Sequence, residues 1–185
     1  MDDLFAKIDE FLANLNNILG SRYLKMLRPK AEELQKRLLY TQETIDDWLV
    51  CQKNWIYLEN IFDAPDIKKK LQAESAQFDN VDKTFRQQMR KTNQLRNVMK
   101  CVTLDIGKTF KKSKETLNNI QKALENYLEL KRANFPRFYF LSNDELLEIL
   151  AKAQDLQAIQ KHMKKCFDNI YKLDLGDDPK STSGI

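Results

Sequence analysis

Apolar residues recur every three or four positions along almost the whole chain, as in Leu4, Ile8 and Leu15 near its start. That spacing places them on one face of a helix. Only four Gly and four Pro interrupt the 185 residues, and 42% of the residues are apolar, a composition that suits long helices and disfavours disorder. The sequence therefore predicts an all-α fold, an elongated bundle of roughly six to eight helices with one short extended aromatic corner.

Glycine, proline and capping residues predict where the helices begin and end. We expect the first helix to end at Gly20-Ser21, and a long helix to resume at about Tyr23, to be disturbed near Pro29 and to continue to Phe62. Pro65 then breaks the chain, because it disfavours helix at the residue before it. The remaining predicted elements are a short helix over 67–71, a helix that starts near 78, a connection at 103–109, a helix that ends near 131, and a last helix terminated by residues 176–179.

Three large aromatic side chains on the long helix are predicted core anchors: Trp48, Trp55 and Phe62. The two Trp are seven residues apart, so both lie on one helix face two turns from each other. Buried aromatic rings contribute much of the area in a core, which favours burial. An exposed Trp pair that binds a partner is the alternative.

The stretch from Asn134 to Leu150 holds the strongest local signals in the chain. Pro136 biases the residue before it away from helix, and the aromatic run after it favours a short extended segment. Ser142 precedes Glu145 by three residues, which is the spacing of a capping box. The stretch is therefore a predicted corner between two helices, formed by Phe135, Pro136, Arg137, Phe138, Phe140, Ser142, Asp144 and Glu145.

Cys51, Cys101 and Cys166 are widely spaced and form no Cys-x-x-Cys pair, so we interpret them as reduced thiols of an intracellular protein. The N-terminus has no basic region followed by an apolar core, so no secretory signal is expected. No apolar run approaches the roughly 18 residues that a membrane span needs. The chain is expected to be soluble and to contact no membrane.

Two short motifs suggest chemistry that the rest of the chain does not support. Gly107-Lys108-Thr109 ends like a phosphate-binding loop, but that motif needs Gly five residues before Gly107, and the chain has Val102 there. His162 and Cys166 have a spacing that can hold zinc, but two ligands are not four. We therefore expect a helix or loop boundary at the first motif and a structural pair at the second, with no catalytic, cofactor-binding or metal-binding residue.

Residues 83–132 are strongly basic, with thirteen Lys or Arg against four acidic residues. The stretch carries +9, which leaves −5 for the rest of a chain whose net charge is +4. A basic face of this kind can bind nucleic acid, the acidic tails of a polymer such as tubulin, or an acidic surface of the same protein. A solvated helix face is the simpler interpretation, and no interleaved aromatics favour nucleic acid.

The sequence of residues 134–150 closely resembles that of the linker region of dynein heavy chains. These share its run Phe-Pro-Arg-Phe-aromatic-Phe-Leu-Ser-Asn-Asp-Glu-Leu-Leu-Glu-Ile-Leu. Phe85 stands where the family usually has Trp, and the tail from Lys180 departs from the family. The resemblance covers roughly residues 12–174, and the sequence is more similar to axonemal than to cytoplasmic members of the family. Other matching positions are Trp48-Leu49, Gln52, Asn54-Trp55, Tyr57-Leu58-Glu59, Ile61-Phe62, Asp66-Ile67, Val81-Asp82-Lys83, Tyr127-Leu128-Glu129, Lys131-Arg132, His162, Lys164-Lys165-Cys166-Phe167 and Ile170.

The resemblance implies that residues 1–175 are a helical fragment of a dynein linker and that residues 176–185 are a flexible tail. In that family the linker arches over a ring of ATPase modules and swings as they bind and release nucleotide. ATP and Mg²⁺ would belong to that ring, so this segment would be non-catalytic and need no cofactor. Its implied partners are the motor ring of the same heavy chain, other dynein subunits and, only indirectly, microtubules, in cytoplasm, cytoskeleton or the axoneme of a cilium or flagellum. The alternative is a free-standing helical adaptor or scaffold that binds an acidic partner through its basic face.

Overall fold

The computed structural model describes residues 2–152 and 155–170, and within them the fold is an all-α bundle, as the sequence predicts. No strand occurs in those ranges, and none of the helices there is long and apolar enough to cross a membrane. The predicted flexible tail at 176–185 and the predicted terminator at 176–179 lie outside the described residues. The helices are α1 (Asp2–Leu19), α2 (Arg28–Phe62), α3 (Pro65–Lys70), α4 (Gln72–Leu95), α5 (Val98–Cys101), α6 (Leu104–Asn134), a 3-10 helix (Pro136–Phe140), α7 (Asn143–Ala151) and α8 (Leu156–Cys166).

The start of the long helix differs from the prediction. Turns occupy residues 20–27, and α2 begins at Arg28 rather than at about Tyr23. Pro29 therefore lies in the first turn of α2 and does not disturb it, because the amide that proline lacks has no intrahelical partner there. The predicted end of α1 at Gly20 and the break at Pro65 agree with the structure.

The predicted connection at 103–109 is wrong, because α6 already begins at Leu104. Thr103 caps this helix: its Oγ1 accepts a hydrogen bond from the Ile106 amide at 3.4 Å. Gly107 is needed for packing rather than for a loop, since a Cβ at this position would overlap the Tyr40 side chain. The chain breaks instead around residues 96–97, where the Asn97 side chain caps α5, and around residues 102–103.

One compact unit comprises Met1–Trp55 and Val81–Leu117. Its core contains a row of stacked rings in which Trp48 lies on Phe110 at 4.9 Å between centroids and Trp55 lies on Phe85 at 4.7 Å. Phe85 meets Phe110 edge to face at 6.4 Å. Phe85 and Phe110 are buried, whereas both Trp are half-buried, each with its ring stacked on one of these buried phenylalanines.

A second compact unit comprises Ile56–Asn80 and Asn118–Ile185. Phe62 is buried in its core and stacks on Phe78 at 5.3 Å between ring centroids. Pro65 turns the chain after Phe62 so that the short helix α3 can bury Ile67. Other apolar side chains buried in this unit are Leu58, Leu71, Ile120, Leu124, Leu128, Leu141, Leu146, Leu147 and Ile149.

Candidate functional site

The predicted aromatic corner is a short 3-10 helix, so its assignment as an extended segment is wrong. The Phe138 amide bonds the Phe135 carbonyl at 2.9 Å, and the Leu141 amide bonds the Phe138 carbonyl at 3.1 Å. Phe135 itself is extended, as expected before proline, while Pro136 opens the 3-10 helix with no loss of a hydrogen bond. Aromatic β-propensity is here overridden by these local turns.

The aromatic rings of the corner differ in burial and in the residues that they contact. Phe138 is half-buried and meets Phe135 edge to face at 4.8 Å between centroids. Phe135 in turn lies 6.4 Å from the ring of Phe167, the first residue after α8. Phe140 is 69% exposed, so Phe138 is the ring that points inward. The Tyr139 hydroxyl donates to the Glu129 carboxylate on α6.

Arg137 connects the corner to the end of α8. Its guanidinium Nη1 donates to the Cys166 carbonyl at 2.8 Å, and its Cζ atom lies 4.5 Å from the centroid of the Phe167 ring. Cys166 is the last residue of α8, and the final carbonyls of a helix have no intrahelical partner. Arg137 therefore satisfies one of these carbonyls and places a positive charge at the negative end of the helix dipole.

Arg132 makes a second connection, which sequence reasoning missed. Its Nη2 donates to the Leu141 carbonyl at 3.2 Å and to the Asn143 side-chain oxygen at 2.8 Å. Nothing in the local sequence pattern identifies partners nine and eleven residues away. Arg132 thus joins the last turn of α6 to the first residue of α7.

The capping box at the start of α7 is confirmed. The Glu145 amide donates to Ser142 Oγ at 3.3 Å, and the Ser142 amide donates to Glu145 Oε2 at 3.0 Å. Asp144 lies in the first turn, at the positive end of the dipole. The helix begins at Asn143, directly after its cap Ser142.

Two side-chain contacts join α7 to α8. Lys165 donates to the Glu145 carboxylate, and this hydrogen bond, followed by the one from the Ser142 amide, lowers the pKa of Glu145 to about 2. His162 is buried with its Nε2 3.2 Å from Glu148 Oε2, and this hydrogen bond is the main cause that lowers the pKa of Glu148. We call the corner with these contacts the α6–α8 joint, formed by Glu129, Arg132, Phe135, Arg137, Phe138, Ser142, Glu145, Glu148, His162 and Lys165.

Ser142→Ala is expected to lower the free energy of unfolding by about 1 kcal/mol, because one amide of the first turn of α7 loses its acceptor. Urea unfolding of the two proteins measures the difference. Ser142→Thr is the matched control and should remain close to wild type, since threonine keeps the hydroxyl. An alanine variant as stable as wild type would show that the cap contributes nothing.

The depressed pKa of Glu145 predicts an acid-dependent contribution to stability. Its pKa is about 2 when folded and near 4.5 without its partners, so its contribution is fully present above 4.5 and is lost as pH falls toward 2. Glu145→Gln should therefore be less stable than wild type at neutral pH, and the gap should shrink in acid. Unfolding curves across this pH range test it, and a gap that is constant with pH would contradict it.

Gly107-Lys108-Thr109 lies in α6, and His162 and Cys166 lie in α8. Gly107 and Lys108 lie in the first turns of α6, and the Gly107 amide bonds the Thr103 carbonyl at 3.1 Å. This amide is used by the helix and is not part of a loop that could cradle phosphate. In the described ranges no three His, Cys, Asp or Glu side chains converge on a metal site. The three cysteines are free and buried, and burial raises the pKa of Cys51 to about 12.

The basic stretch contains two tight ion pairs in the first compact unit. Lys114 bonds Asp47 at 2.7 Å, and this hydrogen bond is the main cause that raises the pKa of Lys114. Arg86 bonds Asp82 at 2.7 Å and lies 5.1 Å over the Trp55 ring. Asp82 also accepts a hydrogen bond from the Trp55 indole at 3.0 Å, so this acidic residue holds both side chains.

Comparison with known proteins agrees with the resemblance carried by residues 134–150. Residues 1–185 match the family model described as dynein heavy chain, N-terminal region 2. The chain is 46% identical over 185 residues to human dynein axonemal heavy chain 6, and 40% identical over 189 residues to the dynein-1-beta heavy chain, flagellar inner arm I1 complex, of Chlamydomonas reinhardtii. It is 36% identical over 182 residues to human dynein axonemal heavy chain 1. These alignments cover 100%, 100% and 98% of this chain but only 4% of each relative.

Proposed function

We propose that this chain is a mechanical linker segment of a microtubule motor. The chain belongs to the dynein heavy chain family and matches its N-terminal region 2 along its whole length, which supports the proposal. In this role it transmits the conformational changes of ATPase modules that lie elsewhere in the heavy chain. The observation that carries the proposal is the α6–α8 joint, where side chains from three successive helices and the 3-10 helix between them hold one another.

The contacts of the joint are those expected of an element that transmits force. Arg137 holds the end of α8, Arg132 holds the start of α7, and Lys165 holds Glu145 across two helices. Each contact joins a different pair of elements, and packed elements with fixed contacts move as rigid bodies. A segment joined in this way passes a rotation of one helix to the next with little loss.

The segment itself is proposed to be non-catalytic and to hold no cofactor, with ATP and Mg²⁺ bound by the motor ring. Isothermal calorimetry of the 185-residue chain is expected to show no ATP binding, because the amides near Lys108 are used inside α6. Lys108→Ala serves as the matched variant and should give the same flat titration. One-to-one binding of ATP that is lost in Lys108→Ala would contradict this.

We further propose that the partners are the motor ring of the same heavy chain and other dynein subunits, with microtubules contacted only indirectly. The names of the relatives include the words axonemal and flagellar, which supports a place in the cytoskeleton of a cilium or flagellum. The mechanical part of the proposal is tested in a complete heavy chain by measuring ATP turnover and microtubule gliding together, with Arg137→Ala as the variant.

A further inference from the structure

The connection between α1 and α2 carries the most exposed large hydrophobic side chains of the described residues. Met26 is 93% exposed and Tyr23 is 84% exposed, and Leu27 beside them is 59% exposed. Ile18, in the last turn of α1, is also 49% exposed. We call residues 18–31 the α1–α2 tip. Exposed apolar side chains grouped in this way, with charged residues among them, are typical of interaction sites.

The α1–α2 tip is a hydrogen-bonded turn, so its exposed side chains have defined positions. The Arg28 amide donates to the Leu24 carbonyl at 2.9 Å. Arg28 Nη2 also donates to the Leu19 carbonyl at 3.1 Å, which ties the start of α2 to the end of α1. The Cζ atom of Arg22 lies 5.6 Å from the centroid of the Tyr23 ring. A surface that is ordered before binding loses little conformational entropy when a partner binds.

Every charged residue of the α1–α2 tip is basic. Arg22, Lys25, Arg28 and Lys30 lie within residues 18–31, and this range contains no Asp or Glu. The flanking helices do not reverse this sign, because residues 11–40 contain six Lys or Arg and only two acidic residues, which directly follow the tip on α2. One of these two, at position 32, pairs with Arg28 at 3.9 Å.

The dipole of α2 adds to the positive charge of the tip. Arg28 and Lys30 lie in the first turn of α2, and that turn contains no acidic residue. The N-terminal end of a helix is the positive end of its dipole, so cations are unfavourable there and anions are favourable. The tip therefore attracts carboxylates to the same place where its apolar side chains are exposed.

The residue types of the tip favour a protein partner over nucleic acid or a membrane. Tyr, Met and Arg are enriched at protein interfaces, and Arg22, Tyr23 and Met26 bring these three types together. Single-stranded nucleic acid is usually bound by several stacking aromatic rings, and the tip has one. Segments that lie on a membrane surface are usually amphipathic helices, whereas the tip is a turn.

We propose that the α1–α2 tip is a docking surface for an acidic amphipathic helix of a partner protein. The apolar face of that helix covers Tyr23, Met26 and Leu27, and carboxylates beside this face pair with Arg22 and Lys25. The contact is thus a hydrophobic anchor with a salt-sensitive rim. Its area is small, so the complex belongs to the weak and transient class.

The test uses the 185-residue chain, isotope-labelled at its methionine methyl groups, and three synthetic eighteen-residue helical peptides. The first peptide has Leu on one helix face and Glu on the other, the second has Ala in place of Leu, and the third has Lys in place of Glu. Calorimetry measures affinity, and the NMR signal of the Met26 methyl group locates the binding. We expect the Leu–Glu peptide to bind one-to-one, to shift the Met26 signal and to weaken as salt is raised. The other two peptides should bind at least tenfold more weakly.

Met26→Gln is the decisive variant, because this side chain is 93% exposed and the fold should tolerate the change. It should weaken the Leu–Glu peptide at least fivefold. Leu130→Gln is the matched control, at a position on α6 that is 66% exposed, and should have little effect. Lys25→Gln should reduce the salt dependence of binding, whereas Lys83→Gln, an exposed position on α4, should leave it unchanged.

The proposal is overturned if the Leu–Glu peptide does not bind, if the Ala or Lys peptide binds equally well, or if Met26→Gln and Leu130→Gln weaken binding equally. Vesicles of anionic phosphatidylserine that compete with the peptide would assign the tip to a membrane surface instead. A competing twelve-nucleotide oligouridine would assign it to nucleic acid, and either result overturns the proposal. None of these outcomes bears on the α6–α8 joint, so the linker proposal can stand or fall separately.

Discussion

Phe110→Ala is expected to lower the free energy of unfolding by about 3–5 kcal/mol, the usual cost of removing a buried aromatic ring. Phe110 is only 1% exposed and lies against two other rings, stacked on Trp48 and edge to face with Phe85. Removing it leaves a cavity between α2, α4 and α6, and both neighbouring rings lose their partner. Thermal or urea unfolding of the chain, followed by circular dichroism, measures the loss.

Phe140→Ala is the matched control, because it removes the same side chain from a position that is 69% exposed. Its expected effect on the free energy of unfolding is within about 0.5 kcal/mol. Trp48→Ala and Trp55→Ala should be intermediate, since both indoles are half-buried. Equal losses for Phe110→Ala and Phe140→Ala would show that the stacked rings are not the core of this unit.

Features that depend on a few neighbouring residues could be predicted from the sequence. Helical periodicity identified the all-α fold, and the three-residue spacing of Ser142 and Glu145 identified the capping box. Pro65 marked the break after α2, because proline acts on the residue directly before it. These signals are local, so a single sequence contains all the information that they need.

Features that depend on distant residues were mispredicted or missed. Gly107 suggested a connection, but the reason for this glycine is the side chain of Tyr40 on another helix. The aromatic run suggested an extended segment, but Phe138 turns back to pack on Phe135. Arg137 was placed in the corner, but its partners at the end of α8 are about thirty residues later in the chain and could not be predicted from its neighbours. The proposed function rests on the sequence shared with a family, since no pattern of helices by itself specifies a function.

Arg137→Ala in a complete heavy chain is expected to uncouple ATP turnover from movement. The variant loses a charged hydrogen bond to the Cys166 carbonyl, worth about 1.5–3 kcal/mol, and the contact with the Phe167 ring. The end of α8 is then no longer held against the corner. Phe138→Ala should act in the same direction, because it removes the inward ring of the 3-10 helix. The ATPase modules are untouched, so turnover should persist.

Ser142→Ala is the control for this experiment, since it weakens the cap of α7 but leaves the contacts of Arg137 in place. It should keep both turnover and movement near wild-type values. A loss of movement in Ser142→Ala as large as that in Arg137→Ala would indicate general destabilisation of the segment rather than a loosened joint. Unfolding measurements on the 185-residue variants show how far each is destabilised.

The central claim, that this segment transmits force through the α6–α8 joint without doing chemistry, is tested most directly by the ratio of microtubule gliding velocity to ATPase rate in a complete heavy chain. Both quantities are measured on the same preparation of wild type and Arg137→Ala. We expect the ratio to fall several-fold in Arg137→Ala because velocity drops while the ATPase rate is retained. An unchanged ratio, with both rates at wild-type values, would contradict the claim and make the corner an ordinary surface turn.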